Sequence, residues 1–419
     1  MPELKNSNSI FKKITKNKAQ EITTLFGSPC FIIDEEALVK RGIALQKALT
    51  SQYKNSIAAY SVKTQPLSKV IKRFYEIGFI PEVVSSDEFD LIEKLKLNNK
   101  GIIFNGPYKT DKSLKKALSL PNSIINCDHY DEIERISNIA SDMGVIASIG
   151  LRVCDNSTPE NWSRFGFALE NIDNSNCDIF RIINDIKNIP QLKLSGIHCH
   201  IGTNIRDLSR FNAMSTNIAK LAEAILIKYG QTLDWIDLGG GLAGTSPKLD
   251  DNKSAPYSPY DLDLYAESII SPLKTYLTKT NNQTKLIFEL GRSLVDYSTA
   301  LISTIVGSRE NSYDSQVLIA DAGIHIAPTT RVYNHPIYSF NQNSSTSKKT
   351  SLLGPSCMQH DYLAENILLP ELKYKDQILV DNLGAYNISR NNEFIHLKPS
   401  VILINKNNNY QILREKQKH

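Results

Sequence analysis

A lysine at the end of an apolar run is the first residue in this chain that could do covalent chemistry. Lys63 follows a short apolar segment that starts at Ile57, and Pro66 opens a helical pattern directly after it. A residue between a strand and a helix lies at the catalytic edge of a parallel α/β barrel. A primary amine in such a partly desolvated site can form a Schiff base with an aldehyde. A solvated lysine at a strand end is the common alternative, so other groups must support this role.

Two histidines follow a later strand, in the segment Gly196–Thr203. His198 and His200 are separated by one residue, so they would share one face of a strand, and a metal site is conceivable. The sequence shows no third ligand, and we therefore predict no metal. An imidazole stacked on a flat cofactor is the competing interpretation.

Two more strand ends carry groups suited to an anion. Three consecutive glycines, whose N–H groups can approach a phosphate closely, are Gly239, Gly240 and Gly241. The segment Phe288–Arg292 supplies the carboxylate of Glu289, then Gly291, then the guanidinium of Arg292. Each motif alone also fits an ordinary turn or a surface ion pair.

Two clusters near the C-terminus add a thiol, a carboxylate and a phenol. Gly354–Asp361 contains Cys357 in a turn opened by Gly-Pro, and Gly384–Tyr386 follows an apolar run. Together with the lysine, the imidazole and the phosphate cradle, these groups form a coherent set for pyridoxal 5′-phosphate.

The elements that must position these residues alternate along the first two thirds of the chain. The predicted strands are Ile57–Tyr60, Ile80–Val84, Ile102–Phe104, Ser123–Asn126, Val145–Val153, Leu194–His198, Asp234–Leu238 and Lys285–Glu289. The predicted helices span 35–47, 66–77, 87–97, 110–118, 130–143, 176–187, 206–229 and 260–279. Eight strands alternating with eight helices favour a parallel (β/α)8 barrel over the alternative, a doubly wound open sheet.

The pattern changes after Gly291, where short β-rich runs replace the alternation. These runs are Thr299–Val306, Gln316–Ala320, Ile337–Phe340, Gln377–Val380 and Val401–Ile404. We therefore predict an α/β protein with a barrel domain at 28–290 and a mostly antiparallel C-terminal β domain at 291–419. Residues 1–27 are expected to pack on the second domain.

Composition excludes several classes of protein. The 419 residues include 41% hydrophobic and 22% charged residues, as in ordinary globular enzymes. A net charge of +4 with scattered basic residues argues against a nucleic-acid partner. No apolar run has the length of a membrane span, and no secretory signal is visible. The six dispersed cysteines lack a CxxC pair and indicate reduced thiols. A cytoplasmic protein without membrane or nucleic-acid partners is predicted.

The motifs, in this order, resemble those of the fold-type III, alanine racemase-like pyridoxal-phosphate decarboxylases, the group of diaminopimelate, ornithine and arginine decarboxylases. The resemblance extends from about residue 28 to 405 and includes the lysine segment, HxHxG[ST], GGG, ExGR, GPxC and GAY motifs. It implies a pyridoxal 5′-phosphate-dependent amino-acid decarboxylase that works as a homodimer with active sites shared between subunits.

The resemblance also assigns roles to individual residues. Lys63 is similar to the Schiff-base lysine, His200 to the histidine that stacks on the cofactor ring, and Cys357 to the general acid that reaches the neighbouring subunit's site. The implied cofactor-binding set is Lys63, Glu82, His200, Thr203, Gly239, Gly240, Gly241, Glu289, Gly291, Arg292 and Tyr386. Glu289 would be the partner of the pyridine nitrogen.

Departures from the family pattern concern the substrate. The diaminopimelate and ornithine enzymes have an acid after the active-site cysteine, where this chain has Met358. The arginine that meets the distal carboxylate in diaminopimelate enzymes aligns with Thr329. The expected substrate-binding residues are Arg292, Arg331, Tyr333, Met358 and Asp361. Since a buried ammonium without an acid is costly, these departures predict a modified amino acid, or one tethered to a carrier or peptide, with free diaminopimelate as the alternative.

Two other functions compete with decarboxylation. An amino-acid racemase on the same barrel would use a tyrosine as second base and would lack the cysteine motif. A non-catalytic pyridoxal-phosphate protein would need no second domain, or would have lost Lys63, Glu289, Arg292 and Cys357. The sequence favours the decarboxylase over both.

Overall fold

The computed structural model describes residues 10–154, 164–169, 177–249, 261–341 and 347–418. The helices are α1 (Lys16–Phe26), α2 (Glu35–Gln52), α3 (Ser68–Glu76), α4 (Ser86–Lys94), α5 (Asp111–Ser119), α6 (Tyr130–Met143), α7 (Asp178–Lys187), α8 (Leu208–Tyr229), α9 (Leu262–Ile270), α10 (Lys274–Lys279) and α11 (Arg292–Val295). Short 3-10 turns lie at Ile10–Lys13, Val62–Thr64, Ser271–Leu273, Asp296–Ser298 and Pro328–Arg331.

The strands form two sheets. They are β1 (Cys30–Asp34), β2 (Ser56–Ser61), β3 (Ile80–Val83), β4 (Ile103–Phe104), β5 (Ile124–Cys127), β6 (Ala147–Cys154), β7 (Phe167–Ala168), β8 (Leu192–Cys199), β9 (Trp235–Asp237), β10 (Lys285–Leu290), β11 (Thr299–Asn311), β12 (Ser315–Ala320), β13 (Ile337–Ser339), β14 (Ser347–Leu353), β15 (Tyr362–Pro370), β16 (Gln377–Val380), β17 (Ser400–Ile404) and β18 (Tyr410–Arg414).

The first sheet is a closed parallel barrel. Its strands follow the order β5-β4-β3-β2-β10-β9-β8-β6, and pairing between β5 and β6 closes the ring, with β7 added on β6. Trp235 fills part of the interior between Gly150 and Gly196; a Cβ at Gly196 would lie 2.1 Å from the indole Nε1. The predicted barrel is therefore confirmed, and its interior is packed with side chains.

The outer helices form where apolar residues recur at helical spacing. In α6, the buried residues Ile133, Ile136 and Ala140 recur three and four positions apart and face the barrel. The helix ends at Gly144, which has φ 65° and so adopts the left-handed conformation that favours glycine. The predicted helix at 260–279 is instead two helices, α9 and α10, because Pro272 lies between them in the 3-10 turn Ser271–Leu273.

The second sheet is mostly antiparallel, as predicted, and its longest path runs β15-β14-β12-β11-β1-β17-β18. β13 and β16 pair with each other, and β16 also pairs with β11. Helix α1 packs on this sheet through Ala19 and Ile22, which share a buried cluster with Ile32 and Ile402. Residues 1–9, part of the segment expected to pack here, lie outside the described ranges.

Strand β1 corrects one detail of the predicted domain division. The bounds 28–290 place it with the barrel, but it pairs antiparallel with β11 and parallel with β17 in the second sheet. A short run buried at every position has no polar face to indicate which sheet it joins. The remaining bounds stay a prediction. Among the described helices, none is both long enough and apolar enough to cross a membrane.

Candidate active site

Lys63 lies at the carboxyl end of β2, in the turn Val62–Thr64. Its Nζ donates to both carboxylate oxygens of Glu82, at 2.7 and 3.1 Å. The lysine side chain is 34% exposed, whereas that of Glu82 is almost wholly buried at 1%. Burial alone would lower the pKa of Lys63, but the charges of Glu82, Tyr386 and Glu289 raise it above its usual value. The lysine is therefore held at an accessible edge by a buried carboxylate.

Glu82 belongs to a buried polar network across the barrel mouth. The side-chain amide of Asn105 donates to Glu82 at 3.1 Å and also to Glu289. The amide of Asn126 donates to Asn105 Oδ1 at 2.9 Å and to Asp237 Oδ2 at 3.1 Å. The network joins the side chain that holds Lys63 to the carboxylate expected to face the cofactor ring. Sequence analysis missed Asn105, Asn126 and Asp237, whose only signal is a polar side chain at the end of an apolar strand.

Three groups meet at the bottom of the site. Ligand atoms of His198, Asp237 and Glu289 all lie within 4.8 Å of one another, an arrangement that could hold a metal ion. Sequence analysis identified only the histidine of this set as a potential ligand. Burial and the Glu289 carboxylate raise the pKa of Asp237 well above its usual value. Burial would also raise the pKa of Glu289, but His198, Lys63 and a hydrogen bond from Asp237 lower it below its usual value. The two carboxyl groups are thus shifted in opposite directions.

The two histidines do not converge on one ion. His198 is buried, and its Nε2 lies 3.6 Å from Glu289 Oε2. His200 lies just beyond β8, and its Nδ1 accepts a hydrogen bond of 3.0 Å from the N–H of Gly240. Burial lowers the pKa of His200 to about 3, so its ring is neutral, with its proton on Nε2. A neutral, fixed imidazole suits stacking on a flat ring.

The three glycines make a close-packed turn after β9. Gly239 and Gly241 have φ of 59° and 109°, in the left-handed region. A Cβ at Gly240 would lie 2.0 Å from the carbonyl oxygen of Glu289, and one at Gly241 would lie 2.6 Å from that of Gly202. The half-buried Thr203 follows Gly202 directly, so the segment that carries the predicted hydroxyl adjoins the glycine turn. Only glycine allows these backbones to approach so closely.

Arg292 joins the barrel to loops of the second sheet. It is buried, and its Nη2 donates to the hydroxyl of Tyr333 at 3.3 Å. Its guanidinium carbon lies 4.4 Å from the centre of the Tyr333 ring and 5.2 Å from that of Tyr386. Its Nε is a buried donor without a hydrogen-bond partner among the described residues. A buried guanidinium with an unused donor fits a phosphate or carboxylate ligand.

Cys357 lies on the turn between β14 and β15 and is exposed. Asp361 holds this turn: its carboxylate accepts from the N–H groups of Ile324 at 2.8 Å and Ser356 at 3.0 Å, and from the Ser356 hydroxyl. With both oxygens used by the protein, Asp361 shapes the turn, and the geometry gives no support to direct substrate binding. Met358 is half-buried beside the thiol.

The position that departs from the family pattern is buried rather than open to ligand. Thr329 is 3% exposed; its hydroxyl donates to Asn387 Oδ1 at 2.8 Å and lies 3.0 Å from His335 Nε2. Arg331, two residues on, is exposed, and no ion pair is found for it among the described residues. The structure thus brings Arg292, Tyr333 and Tyr386 together, and no contact of Arg331 with them is found in the part of the chain that is described.

These residues fit pyridoxal 5′-phosphate. The amine of Lys63 is accessible beside a carboxylate, the imidazole of His200 is neutral, and Glu289 is held ionised. The glycine turn would be filled by any side chain, and Arg292 has a free buried donor. The donor set therefore matches an aldehyde, an aromatic ring with a basic nitrogen, and a phosphate.

Comparison with known proteins identifies relatives over almost the whole chain. A family model described as the pyridoxal-binding domain of pyridoxal-dependent decarboxylases matches residues 37–296. The diaminopimelate decarboxylase of Zymomonas mobilis is 28% identical over 378 residues, 87% of this chain and 85% of that protein. That of Aquifex aeolicus is 26% identical and covers 94% of this chain and 93% of its own. The crystal structure of Helicobacter pylori diaminopimelate decarboxylase complexed with L-lysine superposes with a TM-score of 0.82 at 22% identity, covering 95% and 96% of the two chains.

Proposed function

The chain belongs to the pyridoxal-dependent decarboxylase family, and on that premise we propose that it decarboxylates diaminopimelate to lysine. It is a pyridoxal-phosphate-dependent amino-acid decarboxylase, and its substrate is a small amino acid. The observation that supports diaminopimelate is that relatives named for this reaction match the second sheet as well as the barrel. The Aquifex aeolicus enzyme, for example, matches 94% of this chain.

The prediction of a modified or tethered substrate, drawn from Met358 and Thr329, is wrong. The matching relatives from Zymomonas mobilis, Aquifex aeolicus and Neisseria meningitidis are all named diaminopimelate decarboxylase, and nothing in the comparisons indicates a carrier-linked substrate. The inference failed because it treated two aligned positions as the whole recognition site. Thr329 is bound by Asn387 and His335, so its side chain is committed to the protein.

Recognition of the distal carboxylate is proposed for Arg292 and Tyr333. Their hydrogen bond of 3.3 Å and the ring contact place a guanidinium and a phenol side by side in a buried position. A carboxylate can accept from both donors, and hydrogen bonds to a charged acceptor are strong in a dry site. Arg292 keeps a further role as a neighbour of the phosphate cradle.

The bound cofactor supplies an aldehyde and a ring that withdraws the electron pair left by the departing carboxylate. Lys63 would hold the aldehyde of the cofactor through its amine. Glu289, held as a carboxylate, would pair with the ring nitrogen, and the neutral imidazole of His200 would support the ring face without adding charge. Cys357 is the proposed donor of the proton that replaces the carboxylate.

A homodimer completes this proposal. Cys357 is exposed on a turn of the second sheet, and no contact with Lys63 is found for it in the described chain. A thiol that acts on the substrate would then come from a second copy, which also explains why the turn around it is so firmly held by Asp361. We further propose a cytoplasmic location, in keeping with six free cysteines.

A carbon dioxide release screen tests the substrate. Purified enzyme with added cofactor would be offered meso-diaminopimelate, lysine, ornithine and arginine, with Lys63→Ala as the inactive control. Robust release from meso-diaminopimelate alone supports the proposal. Release from another amino acid, with none from diaminopimelate, would overturn it. Loss of the optical rotation of L-lysine, L-ornithine or L-arginine without gas release would identify a racemase instead.

A further inference from the structure

A second buried carboxyl group lies behind the one expected to face the cofactor. Asp237 ends β9 and is wholly buried, and Glu289 lies near the end of the neighbouring strand β10. A carboxyl oxygen of each lies within 4.8 Å of the other, and a hydrogen bond between them contributes to the pKa shifts of both groups. Asp237 has no role among the residues discussed above for cofactor or substrate.

Two buried carboxyl groups this close cannot both be ionised unless a cation lies between them. Asp237 accepts two neutral donors, the N–H of Gly239 at 3.0 Å and the amide of Asn126 at 3.1 Å. Glu289 accepts a hydrogen bond from the side-chain amide of Asn105, and its Oε2 lies 3.6 Å from His198 Nε2. The charge of Lys63 also lowers its pKa. The charge of Lys63 thus acts on Glu289, which favours ionisation there.

We propose that Asp237 is a positioning residue that carries a proton and donates it to Glu289, so that Glu289 remains a carboxylate directed at the bound cofactor ring. The opposite pKa shifts of the two groups agree with this assignment. A protonated acid as donor fixes one oxygen of Glu289 without adding charge. An ionised neighbour would instead repel it and raise its proton affinity.

Among the described residues, the ionisable groups found to act on Asp237 come from three other strands. They are Glu289 on β10, His198 on β8 and, farther off, Glu82 on β3. Asn126 on β5 and Asn105 after β4 connect them as neutral amides. These contacts link Glu82, which holds Lys63, to Asp237. The proton on Asp237 therefore helps to set the charge of Glu289, the group that would face the cofactor.

This inference rests on the family's cofactor but not on the proposed substrate, and its first test needs neither. Infrared difference spectra of cofactor-free enzyme, wild type minus Asp237→Asn, would be recorded at about pH 9, where ordinary carboxyl groups are ionised. Among the described residues, two other acids have raised pKa values, the partly buried Glu88 at about 7 and the buried Asp296 at about 6, and both are also ionised there. A carbonyl band of a protonated carboxylic acid is expected. Its absence would overturn the proposal.

Glu88→Gln is the matched control for this measurement, since Glu88 is a partly buried acid on the neighbouring helix α4. Its band should disappear between about pH 6 and 8 as the group ionises, whereas the band of Asp237 persists. If both bands disappear together, Asp237 is not the proton carrier. Metal analysis of dialysed enzyme tests whether His198, Asp237 and Glu289 hold a metal ion instead. One bound ion per chain would displace the proton and refute the proposal.

The pH profile separates positioning from a purely structural role. Loss of the donor in Asp237→Ala should raise the pKa of Glu289 and move the acidic limb of kcat/KM upward by about one pH unit or more, with a decrease in kcat/KM of about 10- to 100-fold. Asp237→Asn keeps a neutral donor and should restore the position of the acidic limb. If Asp237→Ala lowers kcat/KM but leaves the acidic limb of the pH profile in place, the assignment is contradicted. It is also contradicted if the acidic limb of Asp237→Asn moves as far as that of Asp237→Ala.

Discussion

Replacing Gly240 with alanine should disrupt the site through a single methyl group. Gly240 has no positive φ, so alanine avoids the strain of the left-handed region there, and the obstacle is lack of space. The added Cβ would lie 2.0 Å from the carbonyl oxygen of Glu289, whereas real Cβ atoms essentially never approach within 3.0 Å. The two backbones must therefore separate by at least 1.0 Å, the difference between these distances.

The expected losses of stability and turnover follow from the groups that these two backbone segments carry. One carries Glu289, and the other donates from Gly240 to His200 Nδ1. Overpacking of this kind costs about 1–3 kcal/mol of unfolding free energy. A displacement of about 1 Å at catalytic groups reduces turnover by about 100-fold. Gly307→Ala is the control, because its added Cβ would have its nearest atom, Ile319 Cδ1, at an ordinary 3.6 Å, and its stability should change by less than about 1 kcal/mol.

Urea denaturation of the two variants, with fluorescence titration of added cofactor and kcat on diaminopimelate, measures these effects. We expect Gly240→Ala to fold with reduced stability, to bind cofactor weakly and to have little turnover, whereas Gly307→Ala resembles the wild type. A Gly240→Ala enzyme with cofactor affinity and kcat within about twofold of wild type would show that the turn yields without moving Glu289. The close packing of Gly240 against the Glu289 backbone would then have no functional importance.

Two further predictions concern charge and subunit sharing. Glu88→Gln should remove a pH dependence of stability: burial raises the pKa of Glu88 to about 7, so its stabilising effect is fully present below about pH 4.5 and is lost as pH rises through 7, by up to about 3 kcal/mol in urea denaturation. Wild type and variant with parallel stability profiles would contradict this. Lys63→Ala should abolish turnover and borohydride-trapped attachment of cofactor, and Cys357→Ala should also be nearly inactive. Mixing the two variants should restore about a quarter of wild-type activity if sites are shared, since half the dimers are mixed and each has one intact site. No recovery after subunit exchange would argue against a shared site.

The sequence predicted the barrel because its strands are buried apolar runs separated by helical patterns. Lys63, His200 and the glycine turn could be assigned for the same reason, since each follows a recognisable strand end. The second sheet was harder. Strands β14 and β15 contain Lys348 and Glu365 among their residues, and such half-exposed strands lack a continuous apolar run.

The buried network could not be predicted, because its members meet only when the barrel closes. Asn105, Asn126 and Asp237 come from three strands and are separated by more than twenty residues at each step. Each is an isolated polar residue in an apolar context, which usually indicates a turn. Which of two buried acids keeps its proton depends on distances to cations that no sequence pattern contains.

The position of β1 connects the chemistry of the barrel with the choice of substrate. This strand precedes the barrel in sequence yet lies inside the second sheet, between β11 and β17, so that sheet is completed only by segments from both ends of the barrel. Hydrogen bonds to its main chain then fix its loops over the barrel rim: the backbone N–H of Tyr386 donates to Thr64 O at 3.0 Å, and the side-chain amide of Gln65 donates to Gly384 O at 3.2 Å. Because these contacts adjoin Lys63 but involve main chain on the second-sheet side, side chains on those loops can change without displacing the lysine. Substrate preference can therefore diverge in the second sheet while the decarboxylation chemistry at the rim is retained.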